Sequence, residues 1–128
     1  MAKIILCIGS NNHAAEHIAK AKLLLSVAFE GIFFTNNVQT EPIGVNTPMY
    51  TNCMAQATST LNYDEIRQVL KSIEAQCGDA PDLRQKCVVN MDIDLLQLGR
   101  KRYKAEDWKR YYVKELKKEL DQLTEKQL

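Results

Sequence analysis

Strand and helix signals alternate along this chain in the order β-α-β-β-α-β before a final helix, and that succession limits its fold more than any single stretch does. Residues 3–9, KIILCIG, are a continuous apolar run of buried-strand length that stops at Gly9 and Ser10, after which Asn11 or Asn12 is placed to cap a helix. From Ala14 to Phe29 the apolar positions Ile18, Leu24, Leu25 and Phe29 follow a helical period that closes near Gly31. Ile32 to Thr40 is rich in aromatic, β-branched and Thr residues and runs into Thr40-Glu41-Pro42-Ile43-Gly44, where proline forces an extended or turning chain. Tyr50 to Leu61 alternates as a strand. The next helix is capped by Asn62 or Asp64, carries Ile66, Val69, Leu70 and Ile73 on one face and ends at Gly78. A polar loop over 79–87 leads to the strand VVNMDIDLLQLG at 88–99, and a helix from Ala105 onward spaces Tyr112, Leu116, Leu120 and Leu123 down one face.

This order predicts an α+β fold of ferredoxin-like type: an antiparallel βαββαβ sheet with two helices on one face, plus a C-terminal helix. The other face is left for ligands or the tail. At 128 residues the chain is expected to form one domain, with a core over 1–99 and a basic helical tail over 100–128. Its composition, 45% hydrophobic and 26% charged, is that of a soluble globular protein, and neither a membrane-length apolar run nor a secretory signal is present, so a cytoplasmic location is expected. The net charge of +1 is unevenly spread: residues 1–99 hold seven basic and ten acidic side chains, residues 100–128 ten and six. Because acidic and basic residues are interleaved along the tail, a solvated helix face is favoured over a phosphate surface. Cys7, Cys53, Cys77 and Cys87 have no zinc-type spacing and read as reduced small hydrophobes, and His13 and His17, four apart, read as a surface pair.

Asp92-Ile93-Asp94 stands out inside its apolar strand. Alternation sends Asp92 and Asp94 to one side, about 7 Å apart along the chain, with Met91, Ile93 and Leu95 toward the core. Two unpaired carboxylates so placed repel each other, and burying both is costly without compensation. Either a cation sits between them, for which Mg²⁺ with its oxygen ligands is suited, or they form a solvated face with Lys and Arg partners.

The pair does not stand alone. With Ile8-Gly9-Ser10-Asn11 after the first strand, Thr40-Glu41-Pro42-Ile43-Gly44 after the second, Tyr50-Thr51-Asn52 opening the third, Ile73-Glu74 and Gly78 closing the second helix, and Asp92-Ile93-Asp94-Leu95-Leu96 with Gly99, the chain resembles 6-hydroxymethyl-7,8-dihydropterin pyrophosphokinases over residues 4–99. The resemblance implies a transferase that moves pyrophosphate from ATP to the hydroxymethyl group of a reduced pterin, releasing AMP, in folate biosynthesis. It implies two Mg²⁺ ions on Asp92 and Asp94, which with Arg110 would form the catalytic group. A pterin site would comprise Thr40, Pro42, Ile43, Tyr50, Asn52 and Tyr112, and an ATP site Lys71, Glu74, Arg84, Lys86 and Arg110. The partners are then ATP and the pterin, with neither membrane nor nucleic acid expected.

The chain departs from that pattern in two places. Between Asp79 and Met91 there is no tryptophan, and Val88-Val89-Asn90-Met91 stands where the family has Gly-Pro-Arg, leaving Arg84 and Lys86 to supply charge from shifted positions. After the acidic strand no histidine occurs, and Arg110-Tyr111-Tyr112-Val113 stands in for the family's arginine-aromatic segment, with Lys109 a second candidate cation. A relative that binds pterin or nucleotide with weak catalysis, and a ferredoxin-like RNA-binding or regulatory module, are the alternatives. If the site reading holds, Asp92 and Asp94 face one cleft with Thr40, Asn52 and Arg110 around it.

Overall fold

β1 (Ala2–Ser10) is the strand on which everything else is laid, because both of its faces are apolar: Ile4, Leu6 and Ile8 enter one hydrophobic layer, Ile5 and Cys7 the other. The computed structural model describes residues 1–41 and 48–127. After β1 come α1 (Ala14–Ala28), β2 (Phe33–Phe34), β3 (Val38–Thr40), β4 (Tyr50–Ser59) and α2 (Tyr63–Gln76). They are followed by α3 (Pro81–Gln85), β5 (Asp92–Leu98), β6 (Lys101–Arg102), α4 (Ala105–Trp108) and α5 (Tyr111–Lys126). Among the described residues the sheet is antiparallel in the order β2-β4-β1-β5-β6, with β3 pairing β4 further along the edge that β2 uses. This is the ferredoxin-like order, in which the strand after each helix returns one place beyond a neighbour.

α1 and α2 cover one face. α1 buries Ile18, Ala21 and Leu25, and α2 buries Ile66, Leu70 and Ile73, against Ile4, Leu6, Ile8, Ile93 and Leu95. Asn62 caps α2 through a reciprocal box: its side chain accepts from Glu65 N–H at 2.9 Å, and Glu65 Oε1 accepts from Asn62 N–H at 3.0 Å. The opposite face is covered by the tail, as α5 sets Val113, Leu116 and Leu120 on Ile5, Met54 and Leu96. Among the described residues no helix is long and apolar enough to cross a membrane.

Several expectations need correction. The 32–40 strand is two short ones, β2 and β3, both on β4. Neither Asn11 nor Asn12 caps α1, whose N-cap is His13 at φ 45° with no side-chain hydrogen bond. Instead both asparagines turn to the segment before β5: Asn11 Oδ1 accepts from Val89 N–H at 2.7 Å, Asn11 Nδ2 donates to the Cys87 carbonyl at 2.9 Å, and Asn12 Nδ2 donates to Asn90 Oδ1 at 2.9 Å. These bonds hold residues 87–90 off the ladder, so the strand starts at Asp92 rather than Val88. The 79–87 stretch contains α3, opened by Pro81 at a position where its missing N–H costs nothing. The tail helix is broken at Lys109 and Arg110, because Trp108 Nε1 donates to the carbonyls of Leu96 (3.2 Å) and Tyr103 (3.0 Å) and pins α4 to the sheet edge. Cys7, Cys53 and Cys77 are buried and free, whereas Cys87 is exposed at φ 62°.

Candidate active site

Gly9, near the end of β1, opens the site. A Cβ on Gly9 would lie 2.6 Å from Asn52 Oδ1, so only glycine lets the Asn52 amide lie across the strand. Asn52, buried on β4, then donates from Nδ2 to Thr40 Oγ1 at 2.6 Å, joining β3 to β4 at the same level. Gly9 also pairs with Asp92 across the other edge of β1, which sets the start of β5 beside them. The result is a cleft of about 200 Å³ lined by Cys7, Gly9, Thr40, Tyr50, Asn52, Asp92, Asp94, Arg110 and Tyr112, among others. The expected gathering of Asp92, Asp94, Thr40, Asn52 and Arg110 is therefore present. Pro42 and Ile43 lie outside the described residues.

The carboxylate pair belongs to a second hollow as well. On the side of α2, a space of about 410 Å³ is lined by Tyr63, Arg67, Leu70, Lys71, Arg84, Asp92, Asp94, Tyr103 and Lys104. Four cations face it, and two of them touch the pair: Arg84 Nη2 lies 3.3 Å from Asp92 Oδ1, and Lys104 Nζ lies 3.5 Å from Asp94 Oδ1. Both readings of the D-x-D thus meet here, since Lys and Arg partners are present yet do not neutralise it fully. Burial and the Asp92 charge push the Asp94 carboxyl up to about 6 despite the pull of Lys104.

The remaining expected residues are placed as follows. Glu74 lines neither space. Its side chain is buried behind β5, where Oε2 accepts from Ile93 N–H at 2.7 Å and Oε1 meets Lys71 Nζ at 3.3 Å, so it positions the acidic strand. Arg84 is held by Asp79 at 2.9 and 3.0 Å and by the Met91 carbonyl at 3.1 Å, which brings a cation to Asp92 from α3. Lys86, at the exposed end of α3, reaches neither space. Arg110, expected on the triphosphate and in one cleft with Asp92 and Asp94, lines that cleft and pairs with Asp107 at 3.2 Å; it does not line the cationic hollow. Its helix, α5, packs on the sheet face opposite α2, the helix that walls the hollow.

Sequence reasoning missed Tyr63, Arg67, Tyr103 and Lys104. Tyr63 and Tyr103 bring their rings to 4.7 Å at the mouth of the hollow. The run Arg100-Lys101-Arg102-Tyr103-Lys104 was visible only as basic character, and Lys104 enters through a left-handed backbone, φ 55°, that no pattern announces.

The site fits Mg²⁺. Among the described residues no third carboxylate, histidine or cysteine completes a cluster with the pair, which suits an ion that takes one or two carboxylates and fills its remaining positions with phosphate oxygens and water. No curated relative matches the chain at a significant level. A family model, 7,8-dihydro-6-hydroxymethylpterin-pyrophosphokinase, matches residues 5–122 and so reaches beyond the acidic strand into α5. The chain accordingly belongs to the 7,8-dihydro-6-hydroxymethylpterin pyrophosphokinase family, enzymes that transfer pyrophosphate from ATP to hydroxymethyldihydropterin in folate synthesis.

Proposed function

We propose that the two spaces divide the substrates of this reaction, with the dihydropterin in the cleft beside Asn52 and MgATP in the cationic hollow. The observation that carries this reading is that Asp92 and Asp94 line both. A carboxylate pair in a shared wall is where a metal would hold the triphosphate of one substrate against the hydroxymethyl group of the other. Bound Mg²⁺ on Asp92 and Asp94 supplies charge neutralisation of the triphosphate, the main demand of phosphoryl chemistry.

The chain's own residues do the rest. Thr40, Tyr50 and Asn52 offer polar groups at the level of Gly9 to the edge of a pterin, and Tyr112 offers a ring for stacking. Lys71, Arg84, Arg67 and Lys104 offer four cations to the phosphates, with Leu70 and the Tyr63–Tyr103 pair as the apolar end for the base. Arg110 lines the pterin cleft beside both carboxylates, so it meets the transferred group from the acceptor side. The pterin hydroxyl forms its bond to the β-phosphorus and gives up its proton to solvent as the bond to the bridging oxygen breaks, and AMP departs with that oxygen.

The test is AMP release from MgATP with 6-hydroxymethyl-7,8-dihydropterin, for wild type, Asp92→Asn and Asp94→Asn. Dihydropterin-dependent AMP formation that drops by about 10²-fold or more in both variants is expected. Pterin binding by calorimetry with no AMP formed by wild type would make the chain a binding relative instead.

A further inference from the structure

Each carboxylate of the pair already has a cation, and the two cations are held very differently. Arg84 is fixed by Asp79 and by the Met91 carbonyl as well as by Asp92. Among the described residues Lys104 Nζ pairs with Asp94 Oδ1, at 3.5 Å. Its side chain is 47% exposed and that of Asp94 27%, so this is a solvent-screened pair that a stronger ligand displaces readily. The backbone tells the opposite story. Lys104 sits at φ 55°, a conformation unfavourable for lysine, held between β6 and α4, where its carbonyl accepts from Asp107 N–H at 2.9 Å. A strained, fixed backbone thus aims a loosely held ammonium at one carboxylate, inside the same hollow as Lys71 and Arg84.

We infer that Lys104 is an internal stand-in for the metal: it neutralises Asp94 while the site is metal-free, and on metal entry it turns its ammonium to the arriving triphosphate. The inference rests on the assignment of Asp92 and Asp94 as the metal pair. Its consequence is coupling. Without nucleotide, a divalent ion must compete with Lys104; with nucleotide, the displaced ammonium finds phosphate oxygens, so each ligand strengthens the other by the same factor.

The experiment is a Mn²⁺ titration followed by electron paramagnetic resonance into the millimolar range, with and without a non-hydrolysable ATP analogue. The proteins are wild type, Lys104→Met, Lys104→Arg, Lys101→Met and Asp94→Asn. Lys104→Met is expected to bind Mn²⁺ alone about three- to tenfold more tightly than wild type, the range a partly exposed ion pair allows. It is also expected to lose most of the strengthening by the analogue, whereas Lys104→Arg keeps it. Lys101→Met, which removes a charge over the Tyr103 ring from the same hairpin, should match wild type and so exclude a general charge effect. A merely structural role for Lys104 would weaken both ligands together. Unchanged or weaker Mn²⁺ binding by Lys104→Met, with binding still lost in Asp94→Asn, overturns the inference alone; Mn²⁺ binding that survives Asp94→Asn overturns the metal assignment beneath it.

Discussion

The two spaces that meet at β5 are built on opposite principles. The cleft proposed for the pterin takes its shape from the central strands β1 and β4, where Gly9 and Asn52 are fitted so closely that one added carbon would collide with the amide. The hollow proposed for the nucleotide is walled by α2, α3 and the turn after β6, and its cations stand on exposed stems, 65% for Lys71, 47% for Lys104 and 37% for Arg84. A flat ring with a fixed pattern of polar edges is recognised by rigid geometry, whereas a triphosphate needs charge that can follow it. The difference suggests that damage to one side should leave the other largely intact, except where the damage strikes their shared wall.

Glu74 is that exception. It is 3% exposed and accepts from Ile93 N–H, the residue between the two carboxylates, so it fixes both spaces at once. Glu74→Ala leaves a buried backbone donor without a partner and should cost about 2–4 kcal/mol of stability, measured by urea unfolding, with kcat reduced for any substrate pair. Glu74→Gln keeps an acceptor and discards the charge. Burial is the leading cause that raises the Glu74 carboxyl above its ordinary value, partly opposed by the Ile93 bond and Lys71. A raised carboxyl in the folded state means that folding binds protons, so this group's contribution is full below the ordinary glutamate range and is lost as pH rises through the folded value. Relative to wild type, Glu74→Gln should therefore gain stability from pH 4 to 7.5, and a difference that shrinks over that interval would contradict the sign.

Gly9→Ala tests the rigid side alone. The new methyl must push the Asn52 amide off Thr40, and the KM for the dihydropterin should rise about tenfold, in keeping with the loss of one buried hydrogen-bonding edge. The KM for MgATP should stay within about twofold. An equal rise in both would mean that the cleft and hollow are not separable.

The same contrast explains what the sequence made readable. β1, α2 and the carboxylate pair were legible because each is a local pattern: an unbroken apolar run, a 3–4–3 spacing with an asparagine cap, and two acids inside an apolar strand. Asn52 and Thr40 came to light through motif order on strands whose pairing is fixed by the core. The hollow was not legible, because Tyr63, Arg67, Tyr103 and Lys104 are ordinary surface residues until the fold brings α2 beside the β6 turn. Nor did periodicity show α3, β6 or the break after α4, which are too short to carry a period and are held by distant groups such as the Leu96 carbonyl under Trp108. Arg110 came from the likeness of Arg110-Tyr111-Tyr112-Val113 to an arginine-aromatic segment, and it lies, as expected, in the cleft with Asp92, Asp94, Thr40 and Asn52.

The smallest expected effect discriminates most sharply between the two sides. Raising ionic strength from 0.1 to 0.5 M shortens the screening length from about 10 Å to about 4 Å, which weakens exposed charge pairs far more than buried, neutral contacts. On the proposed assignment the hollow meets MgATP with four cations on exposed stems, so the KM for MgATP should rise about threefold. On the proposed assignment the ring of the dihydropterin, itself neutral, meets Asn52, Thr40, Tyr50 and Tyr112, whereas the charged groups of the same cleft, Asp92, Asp94 and Arg110, face the transferred phosphates, so the KM for the dihydropterin should hardly move over the same range. Lys104→Met should flatten the MgATP dependence by removing one of the screened charges. A salt dependence shared by both substrates would instead mean that the charged groups of the cleft, Arg110 among them, contribute to dihydropterin binding and that the two sides are not electrostatically separate.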